Sequence, residues 1–310
     1  MRALVTGGAG FIGSHLVDRL LADGHHVRVV DDFFSGRRDH VHPDAELVEA
    51  TVADEEAVAA AMRDVDVVFH QAAHKAVLRS VDQPLPTDLA NTHGTLVVLK
   101  AALDAGARRV VYASSSSVYG GAETLPTPED TPLLPRSPYA VTKLAGEHYC
   151  RVFTELYGLE TVSLRYFNVF GPRQRPDSTY AAVIPLFIDA LLRGARPVVH
   201  GDGRQSRDFT YVADVVAANL AAAAAPAEHA AGHVYNIAGG TDASLLDILD
   251  ILGRLLEVKP DPEFTDARPG DVRHSRGEPA AAARDLDFRC AVSLEEGLAT
   301  TIGWLRAAGR

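Results

Sequence analysis

Residues 5–17 read VTGGAGFIGSHLV: a β-forming run breaks into spaced glycines and resumes as an apolar pattern of helical period. Gly8-x-Gly10-x-x-Gly13 and Gly7-x-x-Gly10-x-x-Gly13 are both present. Glycines at this spacing allow a tight strand-to-helix turn and let backbone N–H groups face an anion at the helix N-terminus. The stretch therefore points to the first βα unit of a parallel sheet, with a dinucleotide pyrophosphate as the anion. A second strand-like run, HVRVVD, ends at Asp31, eighteen residues past Gly13. A carboxylate there accepts hydrogen bonds from ribose hydroxyls and repels a 2′-phosphate. NAD is the expected cofactor, and Arg37 and Arg38 are what speaks for NADP.

The same alternation continues through the first half. Strands are expected at RALVT, HVRVVD, DVVFHQA, RRVVYAS and TVSLRYF, and helices over Phe11–Ala22, Glu55–Met62, Thr87–Ala105 and Tyr139–Tyr157. Strands separated by helices imply βαβ units, and their near-continuous apolar character implies a sheet covered on both faces. After about Phe170 proline and glycine punctuate shorter elements. The expected fold is α/β: a Rossmann-type doubly wound parallel sheet over residues 1–168. A smaller C-terminal α+β substrate lobe follows over 169–310, with some segments returning to the first domain. The alanine-rich stretch at 217–232 is expected to be a surface helix followed by a loop.

The formal charge of −11 argues against a nucleic-acid surface, which needs clustered Lys and Arg. Two cysteines, Cys150 and Cys290, make no disulfide framework and are expected as free thiols. No basic-then-apolar leader and no membrane-length apolar run is visible, so a cytoplasmic location is expected. The thirteen histidines are scattered, and no metal site is expected.

Two further stretches carry chemistry. VVYASSSSVYGG sets four serines behind a strand, and SPYAVTKLAGEHYC places Tyr139 and Lys143 four residues apart on one helical face. An ammonium beside a phenol favours the phenolate and is expected to lower its pKa toward neutrality, giving a proton shuttle.

With these motifs the chain resembles the extended short-chain dehydrogenase/reductase family, in particular the nucleotide-sugar 4-epimerases of UDP-glucose and UDP-N-acetylglucosamine. The resemblance runs through GGAGFIG, SSSSVYG, YAVTK, LRYFNVFGPRQ, GDGRQSRDFTYV and ARPGDVRH. It implies that Tyr139 is the general base, that Lys143 binds the nicotinamide ribose, and that Ser115 holds the reacting sugar hydroxyl. It places Phe11, Ile12, Asp32, Ser35, Asn91 and Tyr166 at the cofactor, together with Ala72, Ala73 and Lys75 after the strand ending in His70. Relatives carry Asp-Ile at the adenine. This chain has Thr51-Val52, so a looser hold on NAD is expected.

The family's dehydratases place Asp-Glu after the catalytic hydroxyl, and its decarboxylases a glutamate before VYG. Ser116 and Ser117 stand there instead, and neither titrates near neutral pH. In the second lobe the resemblance assigns Asn168, Arg207 and Arg268 to the diphosphate, Asp271 to the nucleotide ribose, and Val183 and Ser275 to the sugar. A small residue at 275 admits both plain and N-acetylated hexoses. The expected activity is NAD-dependent C4 epimerisation of a UDP-sugar by a homodimer associating through Thr87–Ala105 and Tyr139–Tyr157. A UDP-glucuronate 4-epimerase, a nucleotide-sugar dehydratase and a non-catalytic dinucleotide sensor are the alternatives.

Overall fold

Each strand of the first half sends alternate side chains to opposite faces, and this alternation sorts the core into two layers. The computed structural model describes residues 1–176, 181–267 and 272–307. In chain order it begins with β1 (Arg2–Thr6), α1 (Phe11–Ala22), β2 (His26–Asp31), β3 (Glu46–Glu49), α2 (Glu55–Ala61) and β4 (Val67–His70). Next come the short helices α3 (Val77–Asp82) and α4 (Pro84–Asp88), then α5 (Gly94–Ala105), β5 (Arg109–Ser115), α6 (Pro138–Tyr157) and β6 (Glu160–Tyr166). Ala3, Val5, Val29, Phe69, Val111 and Leu164 face one layer, where α1 covers them with Leu16, Val17 and Leu20. Leu4, Val30, Val68, Val110 and Tyr112 face the other, under α2, α5 and α6.

The second half is broken into β7 (Val169–Phe170), α7 (Val183–Leu192), β8 (Val198–His200), β9 (Ser206–Arg207), β10 (Thr210–Tyr211), α8 (Val212–Ala224) and α9 (Ala227–Ala230). It ends with β11 (Val234–Ile237), β12 (Ala243–Ser244), α10 (Leu245–Leu256), β13 (Glu263–Thr265), β14 (His274–Ser275), α11 (Ala280–Asp285) and α12 (Leu294–Ala307). The main sheet has seven strands in the order β11-β6-β5-β4-β1-β2-β3, all paired in parallel. The chain winds outward from β1 to β3, then restarts at β4 on the other side of β1. The C-terminal ends of β1 and β4 therefore diverge into a crevice, the place where such sheets bind ligands. A separate core of Phe170, Ile184, Phe187, Val199, Ile248, Leu252, Leu298 and Ile302 holds α7, α10 and α12 together.

One expectation is corrected. The alanine-rich stretch is not a surface helix: α8 buries Val215, Ala218, Asn219, Ala222 and Ala223 against the α1 layer. Its small side chains permit that close approach, and the guanidinium of Arg109 caps its end through the carbonyls of Ala222 and Ala225, at 2.8 and 2.6 Å. The helix expected over Thr87–Ala105 is present and runs on from α4 without a break in helical backbone, with residues 89–93 in π-helical form between α4 and α5. Such a turn re-aims one side chain, here the fully buried Asn91. Among the described residues no helix is long and apolar enough to cross a membrane, and both cysteines are free.

Candidate active site

The glycine turn is held to its shape by contact. Gly7 has φ +70°, and a Cβ there would lie 2.8 Å from the backbone of Ala72; one on Gly13 would lie 2.1 Å from the Gly7 carbonyl. Gly10 caps α1 without a side-chain bond, which leaves the first N–H groups of the helix open to a ligand. The residues present fit a bound dinucleotide: a side chain at Gly7 or Gly13 would collide with the turn, and donors face the crevice. Asp31, nearly buried, accepts from Ala9 N–H at 2.9 Å and Phe33 N–H at 2.8 Å, and burial raises its pKa. Asp32 is exposed and accepts from Phe34 N–H. Arg37 is bidentate to Asp39, while Arg38 pairs with Glu49 and lies over the Phe33 ring. Both guanidiniums are committed to carboxylates.

Gly7, Gly10, Phe11, Ile12, Gly13, Asp31, Asp32 and Ser35 line one side of the cleft. Thr51, Val52, Ala72, Ala73, Lys75, Tyr139, Lys143 and Tyr166 complete it. Thr51 is exposed and accepts from Ala53 N–H at 3.4 Å. Asn91 does not line the cleft: it accepts from His74 N–H and donates to Thr142, tying the Lys75 loop to α6. Behind that loop Thr95 donates to Asn91 O, so His70 Nε2 carries the proton toward Thr95 while Nδ1 accepts from Thr6. Burial, then Lys143, pushes His70 down to about 3, so it stays neutral. His74 stacks on Phe34 with ring centroids 3.8 Å apart. Among the described residues no cluster of three or more His, Cys, Asp or Glu side chains forms a metal site.

The reaction centre is built by one helix lying along one strand. Ser137 caps α6 through Ala140 N–H, Pro138 supplies a fixed φ at the first position, and Gly158 closes the far end at φ +72°. The orphan N–H of Tyr139 is taken by Ser80 Oγ at 3.0 Å. Residues four apart then reach down to the end of β5. Tyr139 meets Ser115, Lys143 Nζ donates to Ala113 O at 2.8 Å, and Glu147 accepts from Ser114 Oγ. Ser115 Oγ accepts from Ser117 N–H at 3.2 Å, which leaves its own proton for Tyr139.

The expected lowering of the Tyr139 pKa is corrected. Burial raises it, and Ser115 alone pulls it down. Burial also pushes Lys143 down to about 7, opposed by Cys150 and Glu147. The ammonium is bonded to a carbonyl and lies 6.0 Å from the tyrosine ring centroid, so its pull on the phenol is smaller than the cost of enclosing both groups.

On the second lobe, Arg207 of β9 and Ser275 of β14 are paired residues of a three-stranded sheet. Asn168 lies at the end of β6 and donates to Asp208 O at 3.0 Å. Asp208, which sequence reasoning did not single out, binds these parts together. Its N–H donates to Ser275 O, and its fully buried carboxylate accepts from Gly239, Gly240 and Gly277 N–H. Val183 opens α7 and packs, partly buried, against that lobe's core. Arg268 and Asp271 lie outside the described residues.

Sequence reasoning also passed over Glu147 and Arg165, a buried ion pair behind the reaction centre. A signal was available for Glu147, which continues the Tyr139, Lys143 row by four residues. Arg165 lies in an apolar strand and gave none.

A sequence model described as the NAD dependent epimerase/dehydratase family matches residues 3–238. The chain is 41% identical to a UDP-glucose 4-epimerase of Mycolicibacterium smegmatis, over 99% of each chain. It superposes on the UDP-glucose 4-epimerase of Thermotoga maritima, solved with UDP-glucose, at a TM-score of 0.96, with 36% identity over all of both chains. The UDP-N-acetylglucosamine 4-epimerase of Methanobrevibacter ruminantium, solved with UDP-N-acetylmuramic acid, matches at a TM-score of 0.93. It is 38% identical, with 99% of this chain and 98% of that one covered.

Proposed function

Because the chain belongs to the NAD-dependent epimerase/dehydratase family, we propose that it epimerises a UDP-sugar at C4 through a transient 4-keto intermediate. Supporting this reading is the row Tyr139, Lys143 against Ser115, with Tyr139 and Lys143 lining the same cleft as the glycine turn. NAD bound to the glycine turn supplies the hydride acceptor and donor for C4. Tyr139 takes the proton from the C4 hydroxyl and later returns it, with Ser115 bridging the two oxygens. Lys143, when charged, steadies the phenolate and the nicotinamide ribose. Asn168, Arg207, Arg268 and Asp271 hold the nucleotide, while Val183 and Ser275 border the sugar.

Two serines decide the outcome. Elimination of water needs an acid and a base beyond the tyrosine, and positions 116 and 117 offer hydroxyls that cannot titrate near neutrality. Dehydration is therefore disfavoured, and reduction of the ketone on either face is the route that remains. The small Ser275 admits both the plain hexose and the N-acetylhexosamine. NMR of the purified protein with UDP-glucose, UDP-N-acetylglucosamine and UDP-glucuronate in turn separates the readings. A C4 epimer of either of the first two is expected, and a dehydrated or decarboxylated product would overturn the proposal.

The protein acts as a homodimer in this reading. Leu85 and Leu89, one turn apart, are 80% and 55% exposed, and Val141 on the neighbouring α6 is 53% exposed. Leaving such side chains in water is costly, and a second copy would cover them. Sedimentation velocity should give a dimer for the native chain and a monomer for L85D/V141D.

A further inference from the structure

Behind the reaction centre lies a polar cluster that the proposed chemistry does not use. Glu147 and Arg165 form a bidentate pair, Nε to Oε1 at 2.9 Å and Nη2 to Oε2 at 2.8 Å, with each side chain only 4% exposed. Arg165 also donates to Tyr119 Oη at 2.8 Å and to Glu129 O at 3.0 Å, which fixes it from a second side. Glu147 takes its remaining bond from Ser114 Oγ. A buried pair of this kind seldom adds stability, because desolvation offsets the Coulomb gain. Its position is more informative than its energy.

Ser114 stands between Ala113, whose carbonyl holds Lys143, and Ser115, which faces Tyr139. We propose that Glu147, clamped by Arg165, is a positioning residue that fixes the end of β5 against Tyr139 and Lys143 and sustains the charge of Lys143. The inference rests on the epimerase reading. The groups around the ammonium are few. His70 faces it from β4 and is neutral; Tyr112 of β5 lies with its ring centroid 5.0 Å away; Tyr139 and Cys150 share its helix. Burial holds the Tyr112 phenol well above its usual range and the Cys150 thiol up at about 12. Neither is ionised where Lys143 titrates. Among the described residues in this set, Glu147 alone brings a negative charge, and Arg165, reaching it from β6, keeps that charge in place.

The chain has four lysines, Lys75, Lys100, Lys143 and Lys259, so lysine carrying a ¹³C label at Cε gives four signals, with Lys143 assigned by its loss in K143R. The NAD-loaded protein is titrated as wild type, as E147Q and as E147L/R165M. The double variant removes both charges together, which folded proteins tolerate better than an uncompensated buried arginine. The Lys143 midpoint is expected to fall by about one pH unit in either variant, while the other three stay put. The alkaline limb of kcat should move down with it, and KM for the UDP-sugar should change little. A folded variant whose Lys143 midpoint and kcat limb both stay in place overturns the proposal, since a purely structural pair lowers kcat without moving either. Should the wild type epimerise nothing, the epimerase reading fails while the lysine titration still decides the role of Glu147.

Discussion

Gly146 of α6 lies against Tyr112 of β5 so closely that a Cβ on it would stand 2.2 Å from the tyrosine Oη and 2.4 Å from Cζ. The neighbouring Lys143 and Glu147 grip the same strand at Ala113 and Ser114. The approach of helix to strand is therefore set by one missing methyl group. In an exposed helix Gly→Ala stabilises by about 1 kcal/mol. At this site G146A should instead destabilise by roughly 1–3 kcal/mol, because the side chain below is enclosed and cannot yield. It should also lower kcat on the order of a hundredfold by lifting Tyr139 from Ser115 and Lys143 from Ala113. Urea unfolding and the epimerase assay check both, and a more stable, fully active G146A would show the contact to be soft.

Tyr139 and Ser115 divide the proton transfer unequally. Tyr139→Phe should lose about 10²–10⁴ in kcat, with UDP-sugar binding by calorimetry nearly unchanged. Ser115→Ala removes one hydrogen bond to the reacting oxygen and should lose about tenfold. A Y139F enzyme within a few-fold of wild type would mean that another group carries the proton.

Asp31 braces the glycine turn and the loop after β2 at once. D31A leaves two backbone N–H groups without their acceptor and takes away the charge that would face a 2′-phosphate. NAD affinity should drop by about ten- to a hundredfold. The preference for NAD over NADP should narrow at the same time, since the carboxylate that repels a 2′-phosphate is gone. Fluorescence titration with each dinucleotide reads the ratio, and an unchanged ratio would take cofactor choice away from Asp31.

Asp208 gives a pH signature of definite sign. Burial raises its pKa from 3.8 to about 6, against the N–H groups of Gly239, Gly277 and Gly240. Between these values the folded state holds the proton more tightly than the unfolded state. The contribution to stability is therefore fully present below about pH 4 and lost as pH rises through about 6. Asn at this position does not titrate. The unfolding free energy of wild type minus that of D208N should rise as pH falls from 7 to 4, by up to about 3 kcal/mol. A difference that is flat across this range would show that Asp208 ionises as an exposed carboxylate does.

The local signals in this sequence were strong where one element sufficed to explain them. The glycine turn and the Tyr139–Lys143 row were legible because each depends on residues within a turn or two of one another, and Asp31 because it ends the strand that follows the glycine turn and its helix. Period and spacing thus determined the α/β rhythm, the extent of α1 and the helical face that carries the proton chemistry. What the tertiary structure decided depends on partners far apart in the chain. The Glu147–Arg165 pair joins α6 to β6, Asp208 joins β9 to the loops after β11 and β14, and α8 returns to bury its small face beside α1. The charge states at the centre were decided there as well. Spacing alone put an ammonium next to a phenol and so lowered the phenol's pKa. Enclosure by β4, β5 and α6 raises it instead and brings the lysine down to about 7. Desolvation is a property of everything packed around a group, and no spacing along the chain encodes it.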